Sequence, residues 1–270
     1  MATYLDSIGA WHRAAASRDH RDLQDLATKA RASSPPRDFA GALKSHGGAS
    51  LGEDTIALIA EIKRRSPSKG DLNPGLDPAQ VGRAYEAGGA SCLSVLTDGP
   101  YFAGSPEDLR LARGAVGIPV LRKDFTVSAA DVYDARLMGA DAVLLIVALL
   151  DRAELAQLHE IAEDLAMAVL VEVHDERELE LALGIGASLV GVNQRDLHTF
   201  EVDRGRAARV AHNVPAGVLK VAESGVSSAG DVAALAEAGF DAVLVGEALV
   251  RRPDQRAAVA ELLGRNVPCG

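Results

Sequence analysis

From residue 56 onward the chain alternates between two patterns. A short run of Val, Ile, Leu and Ala ends in polar residues, and a stretch with apolar residues at helical spacing follows. Eight such runs occur, at 55–63, 90–97, 118–124, 141–148, 168–174, 187–193, 218–224 and 241–247. Each is short and mostly apolar, as a strand buried on both faces must be. The stretches between them, such as AELAQLHEIAEDLA (153–166) and AGDVAALAEAG (229–239), carry an apolar stripe. The segments EAGGA, LMGAD, GIGAS and EAGFD precede four of the runs and fit helices that stop at glycine and turn into a strand. Eight β-then-α units in series predict a (β/α)8 TIM barrel in the α/β class. An open doubly wound sheet is the alternative, weakened because no G-x-G-x-x-G follows the first run.

Residues 1–50 lie outside the alternation. YLDSIGAWHRAAA and HRDLQDLATKARA predict helices, and SSPPRD breaks them. The spacing of Leu5, Ile8 and Trp11 predicts a first helix packed on the barrel, with a disordered arm as the competing reading. Residues 44–55 read as a linker. The expected organisation is one barrel domain over 1–270, with residues 1–50 as a helical extension against one end.

Strand phase then sorts the polar residues. Residues two apart on a strand share a face, and barrel active sites gather at the C-terminal strand ends. Ile56, Leu58, Ala60 and Ile62 form a purely apolar face, so Glu61 and Lys63 share the opposite, inward face with Ala57 and Ile59. By the same phase Lys123 follows Leu121, and Glu172 follows Leu170. Asn193 ends the sixth strand with Arg195 just beyond, Glu223 ends the seventh, and Gly246 ends the eighth. So many buried charges are costly unless they pair or serve a ligand. An ion-pair network explains any one of them; convergence from several strand ends favours catalysis. Ser224, Gly225 and Gly246 follow strands seven and eight, where such barrels hold phosphate on backbone N–H groups. Arg64 and Arg65 are expected to be solvated or to support the fold, and Ser66 opens a loop over the site.

The charge balance narrows the partners. A net charge of -10 repels nucleic acid and anionic membranes, so an anionic ligand needs a local positive site. No stretch approaches membrane-span length, and the first residues lack the apolar core of a signal peptide. Two cysteines, Cys92 and Cys269, give no disulfide framework, and seven scattered histidines give no metal spacing. A cytoplasmic protein acting on a small phosphorylated molecule is the expectation, and a monomer, as many barrels of this type are.

Seven segments carry a resemblance: AEIKRRSPSKG, VLTDGPYFAGSPEDL, PVLRKDF, VEVHDERELE, GVNQRDLHTFEVD, AESGV and VLVGEALV. In order and in register with the strands, over about residues 3 to 263, they resemble the indole-3-glycerol phosphate synthase family. The resemblance implies a (β/α)8 barrel with an N-terminal helical segment and a cofactor-free step of tryptophan biosynthesis. In that step 1-(2-carboxyphenylamino)-1-deoxyribulose 5-phosphate closes to the indole ring with loss of carbon dioxide and water. It further implies Lys123 as general acid; a lysine among other cations in a dry pocket can have its pKa lowered toward neutrality for that task. Glu172 and Lys63 serve the dehydration, and Glu61 positions these groups. Asn193 and Glu223 hold sugar hydroxyls and the catalytic lysines. Ser66, Arg195, Ser224, Gly225 and Gly246 contact the substrate, the last three at its phosphate. Gln194 stands where the family usually has Asn and is expected to matter little; Glu247 and Ala248 stand where some members have small hydroxyl residues. Two alternatives remain: another phosphate-binding barrel, such as a phosphoribosylanthranilate isomerase, and a catalytically silent barrel with a binding role.

Overall fold

The computed structural model describes residues 4–46, 56–195, 201–203 and 205–265. Most of the expected linker, and Cys269, lie outside them. The eight apolar runs form eight strands: Ala57–Ile62, Cys92–Leu96, Val120–Lys123, Ala142–Ile146, Ala168–Val173, Leu189–Asn193, Leu219–Glu223 and Ala242–Val245. All pair in parallel with their sequence neighbours, and the first also pairs with the eighth, so the sheet closes into a barrel. Closure removes both sheet edges.

Two apolar layers hold it. Outside, Leu58, Ala60, Leu93, Val95, Val143 and Leu145 meet the surrounding helices. Inside, Ala57, Ile59, Cys92, Leu121, Leu144, Leu170, Val221 and Leu244 fill the interior. The phase assigned to the first strand is therefore correct, and Cys92 is core. Truncating a fully buried leucine here, such as Leu121→Ala, should cost about 2–5 kcal/mol through lost burial and a cavity. Helix ends follow local chemistry. Ser128 and Asp131, and likewise Ser228 and Asp231, form reciprocal capping boxes on the helices Ala129–Met138 and Ala229–Glu237. Gly139 ends the former at φ 93°, a conformation that a side chain would strain.

The extension reaches both ends of the barrel, not one. Helix Phe39–His46 plugs the N-terminal end, inserting the buried Phe39 and Leu43 into the interior cluster. Helix Leu23–Arg31 runs along the flank, where Arg21 pairs with Asp134 at 2.8 Å. Helix Tyr4–Ala16 crosses the opposite end, the mouth, with Leu5 and Ile8 buried. Arg13 ties it there through the Leu149 carbonyl (2.9 Å) and Glu154 (2.6 Å). Trp11 departs from the expected stripe: it is 43% exposed.

Candidate active site

Strand geometry delivers the polar residues to the mouth. In register, Glu172 stands beside Gly191, and Glu223 beside both Asn193 and Leu244. A Cβ on Gly191 would collide with the Glu223 carboxylate, and one on Gly246 with the Glu61 carboxylate. These two glycines make room for buried charges. Gly246 thus has a role beyond the expected phosphate contact, although it also lines the cavity.

Lys123 is the hub. Its Nζ lies 3.1 Å from Glu172 Oε2 and 3.4 Å from Glu223 Oε2. Asn193 Nδ2 donates to Glu172 Oε1 at 3.0 Å, and the backbone N–H of Arg195 fixes Asn193 by donating to its Oδ1, also at 3.0 Å. Lys63 donates to Glu61 Oε1 at 2.5 Å, a second pair on the same wall. Ser66 is buried, and among the described residues its Oγ has no hydrogen-bond partner. Arg64 and Arg65 support the fold: Arg64 pairs with Asp108, and Arg65 donates to the Pro100 carbonyl at 2.6 Å.

The electrostatics differ from one expectation. Burial alone would lower the Lys123 pKa, but the carboxylates of Glu172, Glu223 and Glu61 overcome it and raise it. No lowering toward neutrality occurs, because the lysine's close neighbours are anions and not cations. The two adjacent carboxyls split apart. Burial opposes ionisation of Glu172, yet the charges of Lys123 and His174 and the Asn193 hydrogen bond hold it down at about 2. Burial, reinforced by Glu172 and Glu61, pushes Glu223 up to about 8 against the pull of Lys123. The two carboxyls are thus pushed in opposite directions, Glu172 toward the ionised form and Glu223 toward the protonated one. Carboxyls driven apart in this way mark acid–base sites.

The cluster floors a cavity of about 790 Å³. One side is apolar: Leu5, Ile8, Leu96, Phe102, Phe125 and Leu144. The other is polar and tight, with Ser224, Gly225, Gly246 and Arg251, and Arg195 and Lys69 also reach the lining. Ser224 and Gly225 both have positive φ, 66° and 77°. Their successive left-handed backbones turn the loop sharply beside the cavity. All eleven sequence-derived site residues line this one cavity.

Sequence reasoning missed several neighbours. His174 is in phase with Glu172, two residues on, which was the available signal. Gln194, expected to matter little, is buried and donates to the Ser224 carbonyl at 2.8 Å. His12 of the first helix meets Asp98 at 3.1 Å and lies near Asp124. This trio has cation-ligand composition, but Arg122 and Thr97 engage Asp124, and Asp98 caps helix Gly99–Phe102. It clamps the helix over the mouth.

A closed (β/α)8 barrel with a lysine–carboxylate cluster under a half-apolar cavity at its C-terminal face defines a barrel enzyme. The chain belongs to the indole-3-glycerol phosphate synthase family, whose sequence model matches residues 6–262. It is 49% identical to indole-3-glycerol phosphate synthase of Mycobacterium ulcerans (strain Agy99), over 97% of this chain and 94% of that one. It is 44% identical to indole-3-glycerol phosphate synthase 2 of Ralstonia nicotianae, over 96% of each. Among solved structures, thiamine phosphate pyrophosphorylase from Pyrococcus furiosus shares the fold, with a TM-score of 0.58 and 20% identity over 77% of this chain and 94% of that one.

Proposed function

We propose that the chain converts 1-(2-carboxyphenylamino)-1-deoxyribulose 5-phosphate to indole-3-glycerol phosphate, carbon dioxide and water. The observation that carries this is Lys123, half-buried between Glu172 and Glu223 on the floor of a cavity with one apolar and one glycine-lined side. The aryl ring suits the apolar wall, and the phosphate suits the Ser224–Gly225 turn and Gly246, whose backbone can approach closely. Ser66 and Arg195 contact the substrate between them.

Ring closure needs an electron-poor carbonyl. The Lys123 ammonium polarises its oxygen while the ring carbon bearing the carboxylate attacks. The oxygen becomes an alkoxide, more basic than an amine, and takes the Lys123 proton. A raised lysine pKa keeps that proton loaded until the alkoxide forms. The C–COO bond then breaks, and its electron pair restores the aromatic ring. In the last step Lys63 protonates the departing hydroxyl, and Glu172, held ionised, accepts the proton lost from the ring system. Glu61 positions Lys63; Asn193 and Glu223 hold Glu172, Lys123 and the sugar hydroxyls.

Purified protein mixed with the substrate should develop indole fluorescence. No signal anywhere from about pH 6 to 9 would sink the reading. The large exposed apolar side chains among the described residues, Trp11, Leu23, Leu111 and Val202, are scattered, which supports a monomer; light scattering tests it. A reducing cytoplasm belongs to the same reading.

A further inference from the structure

The mechanism leaves a half-buried histidine beside the charge cluster unused. His174 follows the fifth strand at the back of the charge cluster and does not line the cavity. Its backbone N–H donates to Glu178 Oε2 at 2.7 Å, and its ring Nδ1 lies 3.0 Å from the same oxygen. Glu178 sits in the first turn of helix Glu176–Gly184, so the helix start fixes the ring. With Nδ1 committed to Glu178, Nε2 faces inward, 3.6 Å from Glu172 Oε1. That exceeds the ~3.2 Å reach of a hydrogen bond. Among the described residues Nε2 has no other partner, although it is buried. Catalytic hydrogen bonds that are long without substrate often tighten when it binds.

We propose that His174, oriented by Glu178, is the positioning residue that keeps Glu172 ionised and aimed during proton acceptance. The proposal rests on the reading of Glu172 as proton acceptor. In the resting site Glu172 has two basic neighbours, the Lys123 amine at 3.1 Å and the His174 ring at 3.6 Å. Once Lys123 has given its proton to the alkoxide, a protonated His174 would be the cation left beside Glu172, and the dehydration comes after that moment. Three charged groups bear on the imidazole. Glu178 and Glu172 favour its protonated form, and Arg206 opposes it from helix Arg206–Ala211. Burial opposes the cation, but the two glutamates outweigh it and raise the His174 pKa.

The test is kcat and KM against pH for the full chain and for His174→Gln, Glu178→Gln and Glu172→Gln. The parent should lose kcat as pH rises through the His174 titration, above the ordinary value of ~6.5. His174→Gln should lower kcat about tenfold with KM unchanged, and its profile should lack that limb. Glu178→Gln should move the limb to lower pH, since the charge that raises the histidine is gone. A His174→Gln profile that keeps the parent's kcat and limb overturns the proposal, as does a Glu178→Gln limb that stays in place. Nitrogen NMR of the parent gives a reading that needs no variant: a His174 midpoint at or below its ordinary value is equally fatal. Glu172→Gln separates the two claims. If it keeps the parent's kcat, the proton-acceptor reading falls. If it is crippled while His174→Gln is normal, only the His174 proposal falls.

Discussion

The barrel buries a charge cluster at each end, and the two are built differently. At the N-terminal end Asp141 is fully buried. It accepts from the Arg37 backbone (2.8 Å), Arg113 Nη2 (2.9 Å) and the Val120 backbone (2.9 Å). Arg37 spends its guanidinium on the Ile118 carbonyl, and Arg136 donates to the Ala140 carbonyl. That cluster joins helix ends to strand starts, none of its residues lines the cavity at the mouth, and Arg136 Nη2 is its one buried side-chain atom without a partner among the described residues. At the mouth, Glu223 Oε1, His174 Nε2 and Ser66 Oγ lack partners among the described residues, and Glu223 and Ser66 line the cavity. Burial of charge therefore does not distinguish scaffold from site. Partners left open toward a cavity do.

The largest expected effect tests the mouth. Lys123→Ala should lower kcat by about 10³-fold or more per folded molecule. Near-normal kcat would remove the general acid from the mechanism. The matching test at the other end is Asp141→Asn, which leaves a buried guanidinium without its counter-charge. A loss of about 3 kcal/mol in urea unfolding is expected, with kcat per folded molecule unchanged. If kcat falls while stability holds, the division between the two ends is wrong.

Much of this contrast was legible in the chain. The β/α alternation exposes the barrel because each strand is buried on both faces, and phase alone turns Glu61, Lys63, Lys123 and Glu172 inward. Pairing across strands was not legible. Nothing local to PVLRKDF says that Lys123 meets Glu172 and Glu223, so the direction of its pKa shift came out opposite to expectation. The first helix shows a second limit. Leu5 and Ile8 are buried, but the next inward place belongs to His12, about 20° from Leu5 around the helix, whereas Trp11 lies about 120° away. Which end of the barrel each part of the extension covers depends on long-range contacts such as His12 with Asp98 and Phe39 with the interior.

A smaller effect sharpens the mouth itself. Glu223 holds its proton up to about 8 in the folded chain, against an ordinary value of 4.5. Between those values the native state keeps a proton that the unfolded chain has lost. The stability from that proton is complete below about 4.5 and disappears as pH rises through about 8. Glu223→Gln carries no such dependence. Its stability relative to the parent should improve from pH 5 to 8 and then level off, as read from urea unfolding at each pH. A difference independent of pH would mean that Glu223 is ionised like Glu172, and the mouth would hold two carboxylates.

The smallest effect separates the two sides of the mouth. Ser224 is a non-glycine residue at φ 66°, a conformation that costs roughly 1–2 kcal/mol. The buried Gln194 amide steadies it from behind, and Gln194 does not line the cavity. Gln194→Ala frees the Ser224 carbonyl and lets the turn relax away from the proposed phosphate position. A KM increase of about three- to tenfold is expected, with weaker inhibition by inorganic phosphate and kcat close to the parent's. Gln194→Asn keeps the amide on a side chain one methylene shorter and should fall between. A change in kcat with KM constant would tie Gln194 to the charge cluster through its backbone N–H, which donates to the Glu223 carbonyl at 2.9 Å. Phosphate grip and proton transfer would then be one coupled unit.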